Sequence, residues 1–173
     1  MKLFWIILLF ISCNAIASDR ISYCNGIFTF IPPKTLDINF IKKQSKLDNC
    51  KNKLTVKLKS GKKAVKLSFP SESNQLDATP PTKEVLDEIK GESAEIIYQS
   101  YFLKHQNGDV KVDTFIKKNK DGSVESIEKD FYFSKKDTYS IYAAYKANPD
   151  DIDDAAMLNS LEIFFLSLQV NWN

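Results

Sequence analysis

Apolar and polar residues alternate with a period of two over long parts of this chain, which is the signature of half-buried strands. Ile27 to Ile31 (IFTFI) reads as a first strand, stopped by Pro32-Pro33. Leu36, Phe40 and Leu47 fit one side of a short helix. Leu36, Ile38 and Phe40 fit a strand equally well, so this segment stays open between the two. Leu54, Val56 and Leu58 alternate with polar residues, Ser60-Gly61 interrupts, and Val65, Leu67 and Phe69 resume the alternation. That pattern predicts a β-hairpin around a glycine turn. A loop rich in Ser, Pro and Asn follows from Pro70 to Pro81. Thr82 then has the chemistry of an N-cap, with Val85, Leu86 and Ile89 on the buried side of a short helix and Gly91 as its stop.

The second half predicts a four-stranded antiparallel meander from 95 to 146. Glu95 to His105 is a long strand with apolar residues on both faces, and Asn107-Gly108 is a strong hairpin signal. Val110, Val112, Thr114 and Ile116 mark the return strand. Asp121-Gly122 turns the chain into Val124 to Phe133, with Ile127, Phe131 and Phe133 on one face. Lys135-Lys136-Asp137 turns it again into Tyr139 to Lys146. After Asn148-Pro149-Asp150-Asp151, the residues Ile152, Ala155, Leu158, Leu161, Phe165 and Leu168 recur at three and four. They predict an amphipathic helix long enough to cover one face of the sheet. The expected fold is α+β: an antiparallel sheet, made of a hairpin and a four-stranded meander, covered by a C-terminal helix and a shorter one.

The N-terminus reads as an address. Lys2 precedes an apolar run from Leu3 to Ile11, and Ala15-Ile16-Ala17 places small residues at alternate positions. This is a signal peptide with cleavage after Ala17, leaving one domain, residues 18–173. The run falls short of the roughly 20 apolar residues that span a bilayer. Phe10-Ile11-Ser12-Cys13 offers a competing, lipobox-like cut that would lipidate Cys13 and anchor the chain as an inner- or outer-membrane lipoprotein. Either route exports the chain to the periplasm or beyond. An even number of cysteines then remains, and Cys24 and Cys50 are expected to form a disulfide.

Charge changes the picture through its distribution. The formal net charge is only +2. Ten lysines lie between Lys42 and Lys66, against one acid, Asp48. Lys53, Lys57, Lys59, Lys62, Lys63 and Lys66 make up a candidate basic patch. Its plain reading is a solvated face protecting strand edges. Its sharper reading is a dock for an acidic partner or a weak contact with an anionic membrane surface. Nucleic acid is not the expected partner: Arg20 is the only arginine, and no stacking aromatics interleave with the lysines.

Candidate chemistry is sparse. His105 is the only histidine, no Gly-x-Ser-x-Gly elbow is present, and five glycines leave little for a phosphate cradle. Asp150, Asp151, Asp153 and Asp154 lack the alternation and the glycine of a calcium loop, and they fit a helix N-terminus better. Glu125, Glu128 and Asp130 share a strand, where alternate charges usually face water. No catalysis, cofactor or metal is expected. Alternation sets Tyr132 opposite in sense to Phe131 and Phe133, and Tyr142 opposite to Ile141. If helices cover one face only, these two tyrosines stay exposed as candidate binding residues.

The order of elements resembles the PsbP-like α/β fold shared by DcrB-like envelope lipoproteins. The resemblance rests on Gly26-Ile27-Phe28-Thr29-Phe30-Ile31-Pro32 at the start, and on Tyr139-Ser140-Ile141-Tyr142-Ala143-Ala144 followed by the helix Ala155 to Leu168 at the close. It implies a binding, chaperone or assembly role rather than an enzyme. The resulting expectation is an exported, non-catalytic module that binds another protein, with an immunity protein against an envelope toxin as one concrete form. The alternative is a lipid-associated envelope assembly factor anchored through Cys13.

Overall fold

The computed structural model describes residues 20–45, 53–68, 79–105, 108–135 and 139–171. The leader, Cys13, Cys50, Phe69, and Gln106 and Asn107 of the first meander turn lie outside the described residues. The fold is α+β, with antiparallel sheets and three helices.

The meander forms as the alternation predicts. β5 (Glu95–His105), β6 (Gly108–Lys118), β7 (Val124–Lys135) and β8 (Tyr139–Ala147) pair in that order, each antiparallel to the next. The lysine-rich hairpin, β3 (Leu54–Lys57) and β4 (Ala64–Leu67), also forms. Its relation to the meander was not legible in the pattern. Ser68 N–H donates to Tyr142 O at 2.9 Å and Tyr142 N–H donates to Ser68 O at 3.1 Å. One bridge thus joins the two-stranded hairpin to the edge of the four-stranded meander, with β4 beside β8.

One face of the joined sheets is dry. Val110, Val112, Phe131, Phe133, Ile141 and Ala143 are buried from the meander, and Leu54, Val56, Val65 and Leu67 from the hairpin. α3 (Ile152–Ser167) packs on this face. Phe165 stacks on Phe131 with centroids 5.2 Å apart, and Phe164 meets Phe30 at 4.6 Å. The buried stripe of α3 is not the one expected. Leu161, Phe165 and Leu168 are buried, but Ile152 is 84% exposed and Ala155 is exposed. Asp154, Met157, Ser160 and Phe164 are buried instead. The helix is apolar nearly all round, so periodicity alone could not choose its inner face.

α2 (Lys83–Lys90) is capped as expected: Thr82 Oγ1 accepts from Val85 N–H at 3.4 Å, and Gly91 ends the helix at φ 57°. The expected burial of Val85, Leu86 and Ile89 is corrected: no residue of α2 is fully buried, and Val85 is 43% exposed. The open segment after Pro33 resolves in favour of the helix, with Ile38 and Phe40 helical and only a single bridge at Leu36 before it. Leu36 forms a bridge with Leu58, and α1 (Ile38–Ser45) follows, with Asp37 Oδ1 accepting from Phe40 N–H at 3.0 Å.

A three-stranded sheet joins the two ends of the fold. β1 (Ile21–Tyr23) and β2 (Phe28–Phe30) make a hairpin, and β9 (Gln169–Val170) pairs with β2. The sequence did carry a signal for this hairpin, Asn25-Gly26, and the turn uses it: Cys24, Asn25 and Gly26 have φ of 60°, 53° and 86°. Cys24 is buried and disulfide-bonded. If its partner is Cys50, the loop of about 26 residues is worth roughly 3 kcal/mol in the chain-entropy model. Dithiothreitol is therefore expected to lower the denaturant midpoint clearly, read by tryptophan fluorescence. An unchanged midpoint would remove the bond as a stabilising element.

Candidate functional site

Directly opposite residues on antiparallel strands share a face, so the register lays out the side of the sheet that α3 does not cover. Three rows cross it. Phe102, Lys111, Tyr132 and Tyr142 form one; Ser100, Asp113, Asp130 and Ala144 the next; Tyr98, Phe115, Glu128 and Lys146 the third. The middle row is short and acidic. Its neighbours on both sides are long and largely aromatic.

The sequence-predicted aromatics come together here. The rings of Tyr132 and Tyr142 lie 4.9 Å apart at 39°. Tyr142 is 36% exposed, and Phe102 beside them is 55% exposed. Tyr132 is only half-exposed. The expected pair of freely exposed tyrosines is therefore a tilted ring pair with one open member.

Two aspartates, Asp113 and Asp130, stand directly opposite one another, an arrangement that normally costs stability. Asp113 is compensated. The buried Lys111 ammonium lies 3.0 Å from its Oδ2, and Tyr98 donates to Oδ1 at 3.0 Å. Asp130 is not. It receives the Tyr132 hydroxyl at 3.3 Å on Oδ2, its Oδ1 is buried, and the hydrogen bonds it takes, from Tyr132 and Tyr142, come from neutral phenols rather than a cation. No ion pair reaches Asp130 among the described residues. Burial, followed by the nearby Glu128 charge, pushes its carboxyl up to about 6. Burial and the Asp130 charge also push the Tyr142 phenol up to about 12 and raise that of Tyr132 further. The expectation that strand carboxylates face water thus fails at Asp130, because its row has small residues at both ends and aromatic rows alongside. Sequence reasoning singled out Asp130 and Glu128 only as unremarkable surface acids, and missed Asp113 and Lys111. Pairing register was the missing information.

The candidate basic patch divides. Lys63 Nζ lies 2.9 Å from Asp151 and 2.8 Å from Asp154, and Lys62 lies 3.9 Å from Asp153, so these two clamp the hairpin turn onto the start of α3. Lys57 pairs with Asp37 at 3.6 Å and lies over the Phe40 ring at 4.3 Å. Lys53, Lys59 and Lys66 are exposed and form no ion pair among the described residues. Because Ser68 opposes Tyr142 and Thr55 opposes Lys66, alternation places Lys57 and Lys66 on the same side as Tyr132, Tyr142 and Asp130. The two sequence-predicted regions are therefore neighbouring zones of one face, acidic and aromatic on the meander, basic on the hairpin.

Asp151 is the N-cap of α3, and its side chain accepts from Asp153 N–H at 2.8 Å. The capping role expected of these acids holds there. Asp154 has a different role, buried beneath the hairpin. Among the described residues, no group of three or more His, Cys, Asp or Glu is arranged to hold a metal ion. None of the described helices is long and apolar enough to cross a membrane. A separate cleft of about 460 Å³ lies where α2 meets β5, lined by Lys90, Ser93, Lys117, Lys120 and Glu125 among others. Ser93 spends its hydroxyl on Glu125 at 2.6 Å. No protein family and no curated protein matches this chain. The functional reading therefore rests on the geometry of this face.

Proposed function

We propose that this is an exported, non-catalytic module that binds another protein through the face of its sheet opposite α3, with an immunity protein neutralising an envelope toxin as the concrete form. The observation that carries the reading is the Tyr132–Tyr142 pair set around a desolvated, uncompensated Asp130 on a rigid sheet. Aromatic residues on a rigid frame concentrate interface energy, and an unpaired half-buried charge is a cost that a partner can relieve. The disulfide at Cys24 supports an oxidising compartment and hence export. The PsbP-like resemblance of the sequence supports a binding role by analogy.

The test is capture from envelope extract with the oxidised protein, alongside a Tyr132→Ala/Tyr142→Ala variant. One stoichiometric protein partner is expected, with recovery falling at least tenfold for the variant while its circular dichroism stays unchanged. Equal recovery by both, or lipid in place of protein, would overturn the reading. N-terminal sequencing of the exported chain is expected to begin at Ser18; a blocked, lipidated Cys13 would favour the anchored alternative.

A further inference from the structure

Resting on that reading, we propose that the meander face takes a basic side chain of the partner protein, an arginine before a lysine, against the Asp130 carboxylate beside Tyr142. The argument is charge complementarity. Two cations belong to this face: Lys111, buried and paired with Asp113 at 3.0 Å, and Lys146, exposed and cross-strand from Glu128 without an ion pair among the described residues. Asp130 and Glu128 remain, two residues apart on β7, with no ion pair among the described residues. The hydrogen bonds Asp130 takes come from neutral phenols. A neutral apolar partner would bury these two carboxylates further and leave them uncompensated, a heavy cost. An acidic partner would add repulsion. A cation supplies the opposite charge that Asp130 lacks among the described residues.

The aromatic surroundings choose among cations. Tyr142 is the more open ring of the pair, and Phe102 extends the aromatic rim along the same row. A planar guanidinium can lie on a tyrosine face while its edge donates to a carboxylate, which a compact ammonium does less well. The basic zone on the neighbouring hairpin then repels excess positive charge, so one basic side chain flanked by neutral or acidic residues fits better than a lysine- or arginine-rich tract.

The test titrates the oxidised protein with an acetylated, amidated Gly-Arg-Gly peptide and with its citrulline counterpart, which keeps the shape and lacks the charge. Carboxyl and aromatic-ring NMR signals are followed at low salt. Saturable shifts at Asp130, Tyr132 and Tyr142 are expected, at least tenfold weaker for citrulline and for Asp130→Asn, and weakened by salt. Equal response to citrulline, unchanged binding by a folded Asp130→Asn variant, or shifts spread over all surface acids would overturn the assignment. So would concentration-dependent shifts without peptide, which would give the face to a lysine of a second copy. Failure here and failure of the binding reading remain distinct. A captured partner held equally by Asp130→Asn leaves protein binding standing and removes the arginine. Arginine binding without any captured protein does the reverse.

Discussion

Replacing Asp154 with alanine is expected to be the most damaging single polar change in this protein. Asp154 is 3% exposed and carries three separate connections. It pairs with Lys63 at 2.8 Å, takes the Tyr145 hydroxyl in a short hydrogen bond, and accepts from Asn148 N–H at 2.7 Å. Lys63 comes from the turn of the β3–β4 hairpin, Tyr145 from β8, and Asn148 from the linker into α3. One carboxylate therefore ties the hairpin, the meander and the covering helix. Burial alone would raise its pKa, but bonds from Lys63, Tyr145 and Asn148 outweigh burial and hold it below the usual carboxylate range. Those bonds also raise the Lys63 ammonium, chiefly through Asp154 and then Asp151. Removing one partner of such a buried network typically costs about 3–5 kcal/mol, because the remaining groups lose their compensation. For a domain of this size that corresponds to a fall in Tm of roughly 10 °C. The pH dependence has a definite sign. The folded pKa of Asp154 lies below the unfolded one, so its stabilisation is present above the unfolded value and is lost as pH falls through the folded one. The alanine variant should therefore lose most at neutral pH and least in acid. A thermal melt of the variant within 2 °C of the parent at pH 7, a margin well inside the roughly 10 °C expected, would show that the network is ornamental.

Asp130→Asn is expected to act in the opposite direction, stabilising the free protein while weakening its interaction. The folded pKa of Asp130, about 6, lies above the ordinary value of 3.8. The folded state therefore holds this proton more tightly than the unfolded chain, and its contribution to stability falls as pH rises from about 4 to about 6. A two-unit shift corresponds to roughly 3 kcal/mol, and partial solvent access reduces the expected net effect to about 1–2 kcal/mol. The groups that set this balance are Asp113 and Lys111 on β6, Glu128 and Tyr132 on β7, and Tyr142 on β8. Urea unfolding of parent and variant should give coincident midpoints near pH 4 and a variant advantage that grows and levels off by pH 7. A variant less stable than the parent at pH 7 would mean that the Asp130 charge is compensated in the folded protein. A carboxylate that costs the free protein stability fits a role in binding.

Much of the fold was legible because strand alternation and turn chemistry are local. Asp121-Gly122 stands at a meander turn and Gly108 opens the strand after another, and the inner residues of the meander strands are the ones the period of two selects. The same logic would have found the first hairpin, since Asn25-Gly26 carries it. Capping was local too, at Thr82 and at Asp151. The inner face of α3 was not legible, because apolar residues lie all round it, and the choice between Ile152 and Phe164 was made by Phe30 and Phe131 opposite.

The candidate site divides in the same way. The sequence by itself determined that Tyr132 and Tyr142 point away from the core, because a strand cannot turn one residue without turning its neighbours. It also determined a basic hairpin and an acidic start to the last helix. Only the tertiary structure decided that Lys63 is consumed by Asp154, that Asp113 takes Lys111, and that Asp130 is left without a cation. Those outcomes depend on which residues stand opposite across strands and between elements far apart in the chain. A charge pair is worth far more out of water than in it, and its strength grows as the partners approach, so pairing register, invisible in composition, separates a structural ion pair from a carboxylate left for a partner.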